Sequence, residues 1–499
     1  MPTPLFEVQL NLPAKGSRLA TASLYRELKA AMMDGRLSAG SRLPPARKSE
    51  AFFGVSRNTV VQVYEKLANE GYVKTRHGSG TFVAKRRSVA TPARARVRDI
   101  LPDRRLSAFW TDPGISSAIG FWHDEPGPAS GLRHSRHVDF RPALVDARLF
   151  PHEVFRRVNG KQLRELERKP ASHKSPQGNQ GKFYLRDAIA RHISLTRAVV
   201  CQADDIVVTS GAQQAFDLLA RALVTRNQTV VAIEDPGYPP MRVAFAAAGA
   251  RLVPVRVDEE GLCVEELPPD VGVICVCPSH QFPLGMTMSA RRRKALVDFA
   301  RRHGAVIVED DYDGEFRYDT SPLAALRTPV DADIVFYVGT FSKCMLPALR
   351  LGYIVAPEWA LPTLVTVKNS LDWHSSTPVQ SAVAGFMAEG HLARHVRRMR
   401  QVYRKRRELL LGALSSDLGE WLDPVPSCYG MHIAAVARTA LDLEHVTESL
   451  RAHNVKMHTL SRYFLGAPTR AGLIFGYGAV DLAELQQGLR LLRRMLEGR

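Results

Sequence analysis

The stretch Gly339-Thr-Phe-Ser-Lys-Cys-Met-Leu-Pro-Ala-Leu-Arg-Leu-Gly-Tyr353 holds one lysine among small hydroxyl residues, with an arginine seven positions further on. An amine in these surroundings suits a Schiff base with an aldehyde cofactor that carries a phosphate. The hydroxyls of Thr340 and Ser342 can bind the phosphate, and the planar fork of Arg350 can hold its charge. Lys343 serves this chemistry when burial and neighbouring cations lower its pKa. The alternative is an ordinary surface lysine.

A run of apolar residues that ends in acids lies upstream, at Gly304-Ala-Val-Ile-Val-Glu-Asp-Asp-Tyr312. We expect a buried parallel strand here, with the acids at its carboxyl end, where α/β sheets place their ligands. Asp310 could keep the ring nitrogen of pyridoxal phosphate protonated, which makes the ring an electron sink. Tyr312 falls on the same side and could bond the phenolic oxygen of the ring. A solvated acidic loop is the alternative.

Two further segments predict a phosphate site and a ring contact. Residues Val207 to Ala215 predict a strand, a glycine turn and a helix, whose free N–H groups and dipole suit a phosphate. The expected backbone donors are Gly211, Ala212 and Gln213. In Glu234-Asp-Pro-Gly-Tyr-Pro239 a strand ends in a turn, and Tyr238 could stack on a planar ring. Alone, either segment is also compatible with an ordinary βα unit or a packed loop.

In this order and spacing, the four segments resemble fold-type I aminotransferases, and most closely the aminotransferase-like half of the MocR/GabR regulators. The resemblance runs from about Val138 to the C-terminus. It implies that Lys343 forms the Schiff base with pyridoxal phosphate and that Asp310 contacts the pyridine nitrogen. It also implies that Tyr312 bonds the ring hydroxyl and that Tyr238 covers the ring. The implied phosphate cup consists of Gly211, Ala212, Gln213, Thr340, Ser342 and Arg350.

The segment Pro278-Ser-His-Gln-Phe-Pro-Leu-Gly285 departs from the aminotransferase pattern, in which an asparagine before the second proline bonds the ring hydroxyl. Phe282 occupies that position and cannot make this bond, which favours the regulators over a metabolic transaminase. His280 or Gln281 could line the pocket or belong to a structured loop. Arg470, which precedes a strand-like segment, is the candidate by position for an effector carboxylate.

Residues from about Ala20 to Ala84 predict a winged helix. A first amphipathic helix is followed by a turn, a second short helix from Ala46 to Phe53 and a third helix from Arg57 to about Asn69, with Ser56 as its N-cap. The apolar face of the third helix is Val60, Val63, Tyr64 and Leu67. Two strands, at residues 72–76 and 80–83, should form a hairpin that serves as the wing.

This N-terminal segment closely resembles the GntR-type winged helix, in Arg42-Leu-Pro, Gly54-Val-Ser-Arg-Asn-Thr-Val60 and Gly78-Ser-Gly-Thr-Phe-Val83. Residues at the start of a recognition helix reach base edges in the major groove. The resemblance implies DNA contacts from Arg47, Arg57, Asn58 and Thr59 and from the wing residues His77, Gly78 and Ser79. A helical cap without a nucleic-acid role is the alternative.

The charge distribution agrees with DNA binding. Residues 1–105 contain 20 of the 68 Lys and Arg but only 8 of the 50 Asp and Glu, so +12 of the net charge of +18 lies there. Phosphate neutralisation supplies much of the affinity of such domains. Membrane association is not expected, because the chain shows no long apolar run, no basic amphipathic helix with exposed aromatic residues and no signal peptide.

We predict four regions: a GntR-type DNA-binding domain at 15–84, a linker at 85–137, a large pyridoxal-phosphate domain at 138–387 and a small α+β subdomain at 388–499. From Val138 onward, strands and helices alternate, which predicts an α/β fold with a mostly parallel sheet. The aromatic residues Trp110, Phe121 and Trp122 suggest that part of the linker docks on a surface. The six cysteines show no metal spacing and suit reduced thiols in the cytoplasm, and no metal is predicted.

The sequence therefore predicts a cytoplasmic transcription regulator that binds promoter DNA and senses an amino compound or pyridoxal phosphate itself. By resemblance it should be a homodimer, in which subunits exchange domains. The rival prediction is a working aminotransferase with an accessory DNA-binding domain. A third alternative is an empty cofactor fold with a purely structural role.

Overall fold

The computed structural model describes residues 20–48, 52–76, 79–84, 106–120, 137–168, 179–318 and 324–498. The chain divides into two compact units, an N-terminal unit of residues 1–103 and a C-terminal unit of residues 104–499. Within the described ranges, no helix is long and apolar enough to cross a membrane.

The N-terminal unit is a small helical domain with a hairpin. Helix α1 spans Ala20–Met33, a 3₁₀ turn spans Ala46–Lys48, and helix α2 spans Arg57–Asn69. Strands β1 (Val73–Arg76) and β2 (Gly80–Val83) pair antiparallel. The predicted hairpin and the bounds of α2 are confirmed. The predicted second helix begins as the 3₁₀ turn, and its centre, residues 49–51, lies outside the described residues.

Helix α2 starts where its sequence provides a cap. The Ser56 hydroxyl accepts the N–H of Thr59 at 3.2 Å, which satisfies one of the donors that a helix leaves open at its start. The predicted apolar face packs into the domain core, where Val60, Val63 and Leu67 are at most 1% exposed. This packing leaves Arg57 and Asn58 on the exposed side of the first turn.

The C-terminal unit opens with two short helices, α3 (Ala108–Thr111) and α4 (Pro113–Gly120), and a short strand, β3 (Val138–Asp139). Its helices then run as α5 (His152–Arg168), α6 (Phe183–Arg197), α7 (Ala212–Leu223), α8 (Pro239–Ala247), α9 (Ala290–His303), α10 (Leu361–Leu371), α11 (Thr377–Ala388), α12 (His391–Ser415), α13 (Leu443–Ala452) and α14 (Leu482–Leu496). The main strands are β4 (Ile206–Thr209), β5 (Val230–Asp235), β6 (Arg251–Asp258), β7 (Gly261–Leu262), β8 (Val271–Val276), β9 (Val306–Asp311), β10 (Val335–Thr340) and β11 (Gly352–Val355).

These eight strands form one sheet in the order β4-β11-β10-β9-β8-β5-β6-β7. The five central strands, from β10 to β6, are parallel, while β11 runs antiparallel to both of its neighbours. Alternate side chains enter two different cores: Val273 and Cys275 of β8 pack with α7 and α8, whereas Ile274 and Val276 pack with α9. Helices therefore cover both faces, and the carboxyl ends of β8, β9 and β10 lie side by side. The predicted α/β fold with a mostly parallel sheet is confirmed.

A second sheet lies in the C-terminal part of the chain, with β12 (Leu422–Pro424), β13 (His432–Ala437), β16 (Gly472–Gly476) and β15 (His458–Thr459) in this order, all antiparallel. The remaining strand, β14 (Val455–Lys456), pairs in parallel with β3. The first strand of the predicted large domain thus pairs with the small subdomain. The four predicted domain boundaries stay predictions.

Candidate functional site

Lys343 lies just beyond the carboxyl end of β10, in the turn before the 3₁₀ helix Pro347–Leu349. The side chain is half-buried, and its Nζ donates to the carbonyl of Ala143 at 2.7 Å. Loss of hydration lowers the pKa of Lys343 to about 8, against the opposing charges of Asp313 and Asp310, and Arg350 lowers it further. A lysine with this pKa has a substantial neutral fraction near neutral pH, which is the form that attacks carbonyl groups.

Asp310 is the penultimate residue of the neighbouring strand, β9, and is 4% exposed. Its Oδ1 has no hydrogen-bond partner among the described residues, and its Oδ2 accepts only the weak thiol donor of Cys277 at 3.8 Å. Burial, followed by the charges of Asp311 and Asp313, raises the pKa of Asp310 to about 8, while Lys343 lowers it. A buried carboxylate without a strong donor is costly, so this oxygen suits a donor that the described residues do not supply.

Tyr312 lies two residues beyond Asp310, buried, and its hydroxyl lies 2.8 Å from Nδ1 of His280. The same nitrogen lies 3.0 and 3.2 Å from the carboxylate oxygens of Asp313. His280 therefore contacts both Tyr312 and Asp313, and its place in the lining of a pocket stays a prediction. Gln281 donates to the carbonyls of Pro236 and Phe282, which is a loop-building role.

A second histidine completes this cluster. The rings of His280 and His432 lie 4.7 Å apart, and His432 Nε2 lies 2.9 Å from the carbonyl of Pro283. The ligand atoms of His280, Asp313 and His432 lie within 4.8 Å of one another, as a metal site requires. Hydrogen bonds join His280 Nδ1 to both Asp313 oxygens and His432 Nε2 to the carbonyl of Pro283, whereas His280 Nε2 and His432 Nδ1 have no hydrogen-bond partner among the described residues. Loss of hydration lowers the pKa of both histidines to about 3, which keeps them neutral.

The predicted phosphate cup is assembled from three separate segments. Gly211 precedes α7 with φ 87°, and a Cβ added there would lie 3.1 Å from Nη2 of Arg350. Arg350 reaches this position from a left-handed backbone with φ 48° and donates to the carbonyl of Ser210 at 3.1 Å. The guanidinium thus lies over the start of the helix, where the first backbone N–H groups have no partner within the helix.

The other members of the cup differ in their contacts. The hydroxyl of Thr340 donates to that of Ser342 at 3.0 Å and accepts the backbone N–H of Ser342 at 3.1 Å. The helix residues Ala212 and Gln213 contribute backbone N–H groups at the start of α7, and the Gln213 side chain turns to the carbonyl of Pro240 at 3.1 Å. The predicted cup residues are therefore brought to the same end of the sheet.

No sequence pattern predicted the buried lysine that lies behind this cup. Lys368 of α10 is 0% exposed and pairs with Asp372 at 2.8 Å. Asp372 also accepts the amide of Gln214, whose oxygen in turn accepts the N–H of Ser210 at 2.7 Å. The ion pair therefore braces the turn that precedes α7. A lysine on a helix is ordinarily read as a surface residue, and only its contacts identify this role.

Tyr238 and Phe282 belong to a cluster of aromatic rings around Tyr312. Tyr238 is the residue before α8, half-buried, and its ring meets that of Phe282 edge to face at 5.4 Å. Phe282 also meets the rings of Tyr312 at 5.6 Å and His432 at 5.5 Å. Arg470 is half-exposed and lies two residues before β16, and its predicted contact with an effector carboxylate stays a prediction.

Several of the predicted DNA-contacting residues are exposed on the N-terminal unit. Arg47, in the 3₁₀ turn, and Arg57 and Asn58, in the first turn of α2, are exposed. The hydroxyl of Thr59 bonds that of Ser56 at 2.9 Å, so Thr59 belongs partly to the cap. Ser79 is exposed in the turn between β1 and β2, whereas His77 and Gly78 lie outside the described residues.

Comparison with known proteins identifies both units. Residues 20–83 match the family described as bacterial regulatory proteins of the gntR family, and residues 159–465 match aminotransferase class I and II. The α-aminoadipate aminotransferase LysN of Thermus thermophilus, solved with a phosphopyridoxyl-leucine, is 27% identical with a TM-score of 0.65 over 72% of this chain and 92% of that one. Pyridoxal phosphate is the cofactor of this domain.

Full-length relatives are regulators. The chain is 34% identical to the probable rhizopine catabolism regulatory protein MocR of Rhizobium meliloti, over 94% of this chain and 92% of that protein. It is 30% identical to the pyridoxine biosynthesis transcriptional regulator PdxR of Corynebacterium glutamicum, over 94% and 95% of the two chains. The chain belongs to the MocR-type regulators, in which a GntR-type DNA-binding domain is joined to an aminotransferase class I and II domain.

Proposed function

We propose that this protein binds promoter DNA through its N-terminal unit and senses an amino compound, or pyridoxal phosphate itself, through a cofactor held at Lys343. One observation carries the proposal: a GntR-type domain is joined to an aminotransferase class I and II domain in which Lys343 and Asp310 lie at the carboxyl ends of two adjacent parallel strands, β10 and β9. That pair suits an aldehyde cofactor with a protonated ring nitrogen.

The residues present fit pyridoxal phosphate at both of its polar ends. The unpartnered Oδ1 of Asp310 suits an N–H donor, as a protonated pyridine nitrogen would provide. The glycine at position 211 leaves room between the Arg350 guanidinium and the start of α7, which a Cβ would fill and which suits a phosphate. When bound, the cofactor supplies an aldehyde that exchanges amines and a ring that accepts electrons.

We assign the residues of the site the following roles. Asp310 keeps a proton on the ring nitrogen, Tyr312 donates to the ring oxygen, and Tyr238 covers one face of the ring. Gly211, Ala212, Gln213, Thr340, Ser342 and Arg350 hold the phosphate. The amine of an effector competes with that of Lys343 for the aldehyde, and Arg470 is the candidate for an effector carboxylate.

The response to the effector passes to DNA through a change between two states of the protein. An effector can shift such an equilibrium only by binding one state more tightly than the other. We propose a homodimer acting in the cytoplasm, with boundaries at residues 15–84, 85–137, 138–387 and 388–499, in which DNA affinity depends on the spacing of two winged helices. Fluorescence anisotropy with its own promoter region, with and without the cofactor and a panel of amino compounds, tests the proposal. DNA affinity that no cofactor or amino compound alters would refute it.

Cofactor uptake should depend on pH in a way set by Lys343. Because the pKa of Lys343 is about 8, its neutral fraction rises from about 10% at pH 7 to about 90% at pH 9. We expect the rate of covalent uptake by cofactor-free protein to rise over this range with a midpoint near pH 8, measured by stopped-flow absorbance. N-acetyl-lysine amide, with an ordinary pKa of about 10.4, serves as the reference. A protein midpoint above pH 10 would contradict the assignment of Lys343.

Replacing Arg350 by lysine should weaken cofactor binding about 10- to 100-fold, because an ammonium group cannot make the two parallel hydrogen bonds of a guanidinium. Equilibrium dialysis against pyridoxal phosphate measures the Kd. Arg221→Lys is a matched control, since Arg221 lies on α7 but is paired with Asp217 at the surface. Equal Kd values for the two variants would remove Arg350 from the phosphate site.

The second candidate function is catalysis of amino-group transfer. It is favoured by the same two groups, since Lys343 and Asp310 both have a pKa of about 8 and could exchange protons near neutral pH. Incubation with amino acids and a keto acid distinguishes the two functions. A stable spectral change without consumption of the keto acid supports the sensor, whereas many turnovers per cofactor support the enzyme.

A further inference from the structure

The tautomer of His280 decides what the Tyr312 hydroxyl can do. A neutral imidazole carries one N–H. Within the described residues, His280 Nε2 is buried without a hydrogen-bond partner, while Nδ1 lies 3.0 Å from Asp313 and 2.8 Å from the Tyr312 oxygen. A hydrogen on Nε2 would be a buried donor without an acceptor, which is costly. A hydrogen on Nδ1 has two acceptors within reach.

Several groups hold His280 in this orientation. Gly430 faces the ring so closely that any Cβ there would overlap its Cε1, and Gly285 would bring a Cβ to 3.3 Å from Nε2. The ring of His432 lies against the other side, at 4.7 Å. These contacts pack the His280 ring in an orientation in which its Nδ1 lies within hydrogen-bonding distance of both Asp313 and Tyr312.

When the hydrogen is on Nδ1 of His280, the Tyr312 oxygen accepts a hydrogen bond from it. The hydroxyl hydrogen of Tyr312 is then available for another acceptor. Phe282 packs edge to face on Tyr312 and offers no donor. The Tyr312 hydroxyl is therefore the group on this side of the site that can bond the oxygen of the cofactor ring. The direction of its hydrogen decides whether it donates to that oxygen.

We propose that His280 is a positioning residue: anchored by Asp313, its Nδ1–H makes the Tyr312 oxygen an acceptor and so directs the Tyr312 hydroxyl hydrogen to the ring oxygen of pyridoxal phosphate. This inference rests on the proposed function, because it concerns the same cofactor. Burial raises the pKa of Asp313 well above its usual range, while the charges of His432 and Lys343 oppose this rise. The arrangement needs only one accepting oxygen on Asp313, which a carboxylate offers at either oxygen and a protonated carboxyl at its carbonyl oxygen. The charges of Arg407 and Asp311 act on His280. Tyr312 is affected by the charges of four residues: Asp313, Cys277, Asp310 and Glu234.

The pH midpoint of the absorbance change of the bound cofactor tests the proposal. A hydrogen bond to the unprotonated ring oxygen favours that form, so its loss should raise the midpoint, by about one pH unit. We expect this rise in Tyr312→Phe and in His280→Gln, whose amide mimics Nε2. His280→Asn places an amide N–H at the position of Nδ1 and should restore the wild-type midpoint. A purely structural role for His280 would give the two amide variants the same result, which would overturn the proposal.

A double variant shows whether His280 acts through Tyr312. In a Tyr312→Phe background, His280→Gln should cause no further shift, because the hydroxyl that it directs is absent. A shift of the same size in both backgrounds would show that His280 acts on the cofactor independently, and the proposal would fail.

The tautomer itself can be measured without any cofactor. In protein labelled with ¹⁵N-histidine, the His280 signal, assigned by its loss in His280→Asn, should show a hydrogen on Nδ1. A hydrogen on Nε2 would overturn the inference. If the protein took up no pyridoxal phosphate, the proposed function would fail at that step and the inference with it, whereas an Nε2–H tautomer in a protein that does take up the cofactor would refute the inference alone.

Discussion

Replacing Lys343 with alanine is expected to abolish covalent attachment of pyridoxal phosphate. Borohydride treatment of the loaded wild-type protein should fix one phosphopyridoxyl group to the peptide that contains residue 343, and the variant should carry none. The physical reason is the pKa of about 8 that loss of hydration gives this amine, since exposed lysines near pH 7 are almost fully protonated and react slowly.

Two other lysines serve as controls for this experiment. Lys294 is exposed and paired with Asp298 on α9, so Lys294→Ala should keep full labelling. Lys368 is buried, and burial lowers its pKa also, although Asp372 opposes that shift. If the Lys343→Ala protein were labelled at Lys368, the assignment of the Schiff-base lysine would be wrong.

The Lys343→Ala variant should also separate DNA binding from the regulation of DNA binding by the effector. The N-terminal unit keeps its own core, so Lys343→Ala is expected to bind promoter DNA, but its affinity should no longer respond to amino compounds. A coupling free energy between the two sites requires that the effector binds differently to two states of the protein. A variant that kept the full response would show that the effector acts without the lysine.

Local patterns predicted the elements of this fold well. The predicted strands at 72–76 and 80–83 agree with the observed β1 and β2 within one residue, and the predicted helix from Arg57 to about Asn69 agrees with α2. These segments are apolar runs or amphipathic stretches bounded by Gly, Pro or a capping residue, so nearby residues determine where each element begins and ends. Ser56 is an example, because a serine three residues before an open N–H is all that the cap needs.

The parts that escaped prediction depend on residues far apart in the chain. The neighbours of His280 include Asp313 and His432, and no periodicity links these three positions. Lys368 is buried only because Asp372, Gln214 and Ser375 converge on it from two helices and a turn. Strand β3 pairs with β14, more than three hundred residues later. A sequence pattern indicates on which face of its helix or strand a side chain lies. Contacts between residues far apart in the chain depend instead on how whole helices and strands pack together.

The largest effect on DNA recognition is expected from Arg57 and Asn58. Both are exposed in the first turn of α2, whose opposite face is fixed in the domain core by Val60 and Val63. Arginine and asparagine each make two hydrogen bonds to a base in the major groove, and each such pair discriminates by about 1–3 kcal/mol. We therefore expect Arg57→Ala and Asn58→Ala each to weaken operator binding about 10- to 100-fold in fluorescence anisotropy at fixed salt.

A charge-matched control shows whether these contacts read bases or only phosphates. Arg26 is exposed on α1, outside the predicted interface, so Arg26→Ala removes the same charge and should change operator affinity less than threefold. If Arg57 reads a base, its loss should lower affinity for the operator far more than for random DNA of the same length. If both affinities fell equally, Arg57 would contact a phosphate and not a base. Contacts to the DNA backbone carry no direct sequence information, so other residues of the N-terminal unit would then have to read the bases.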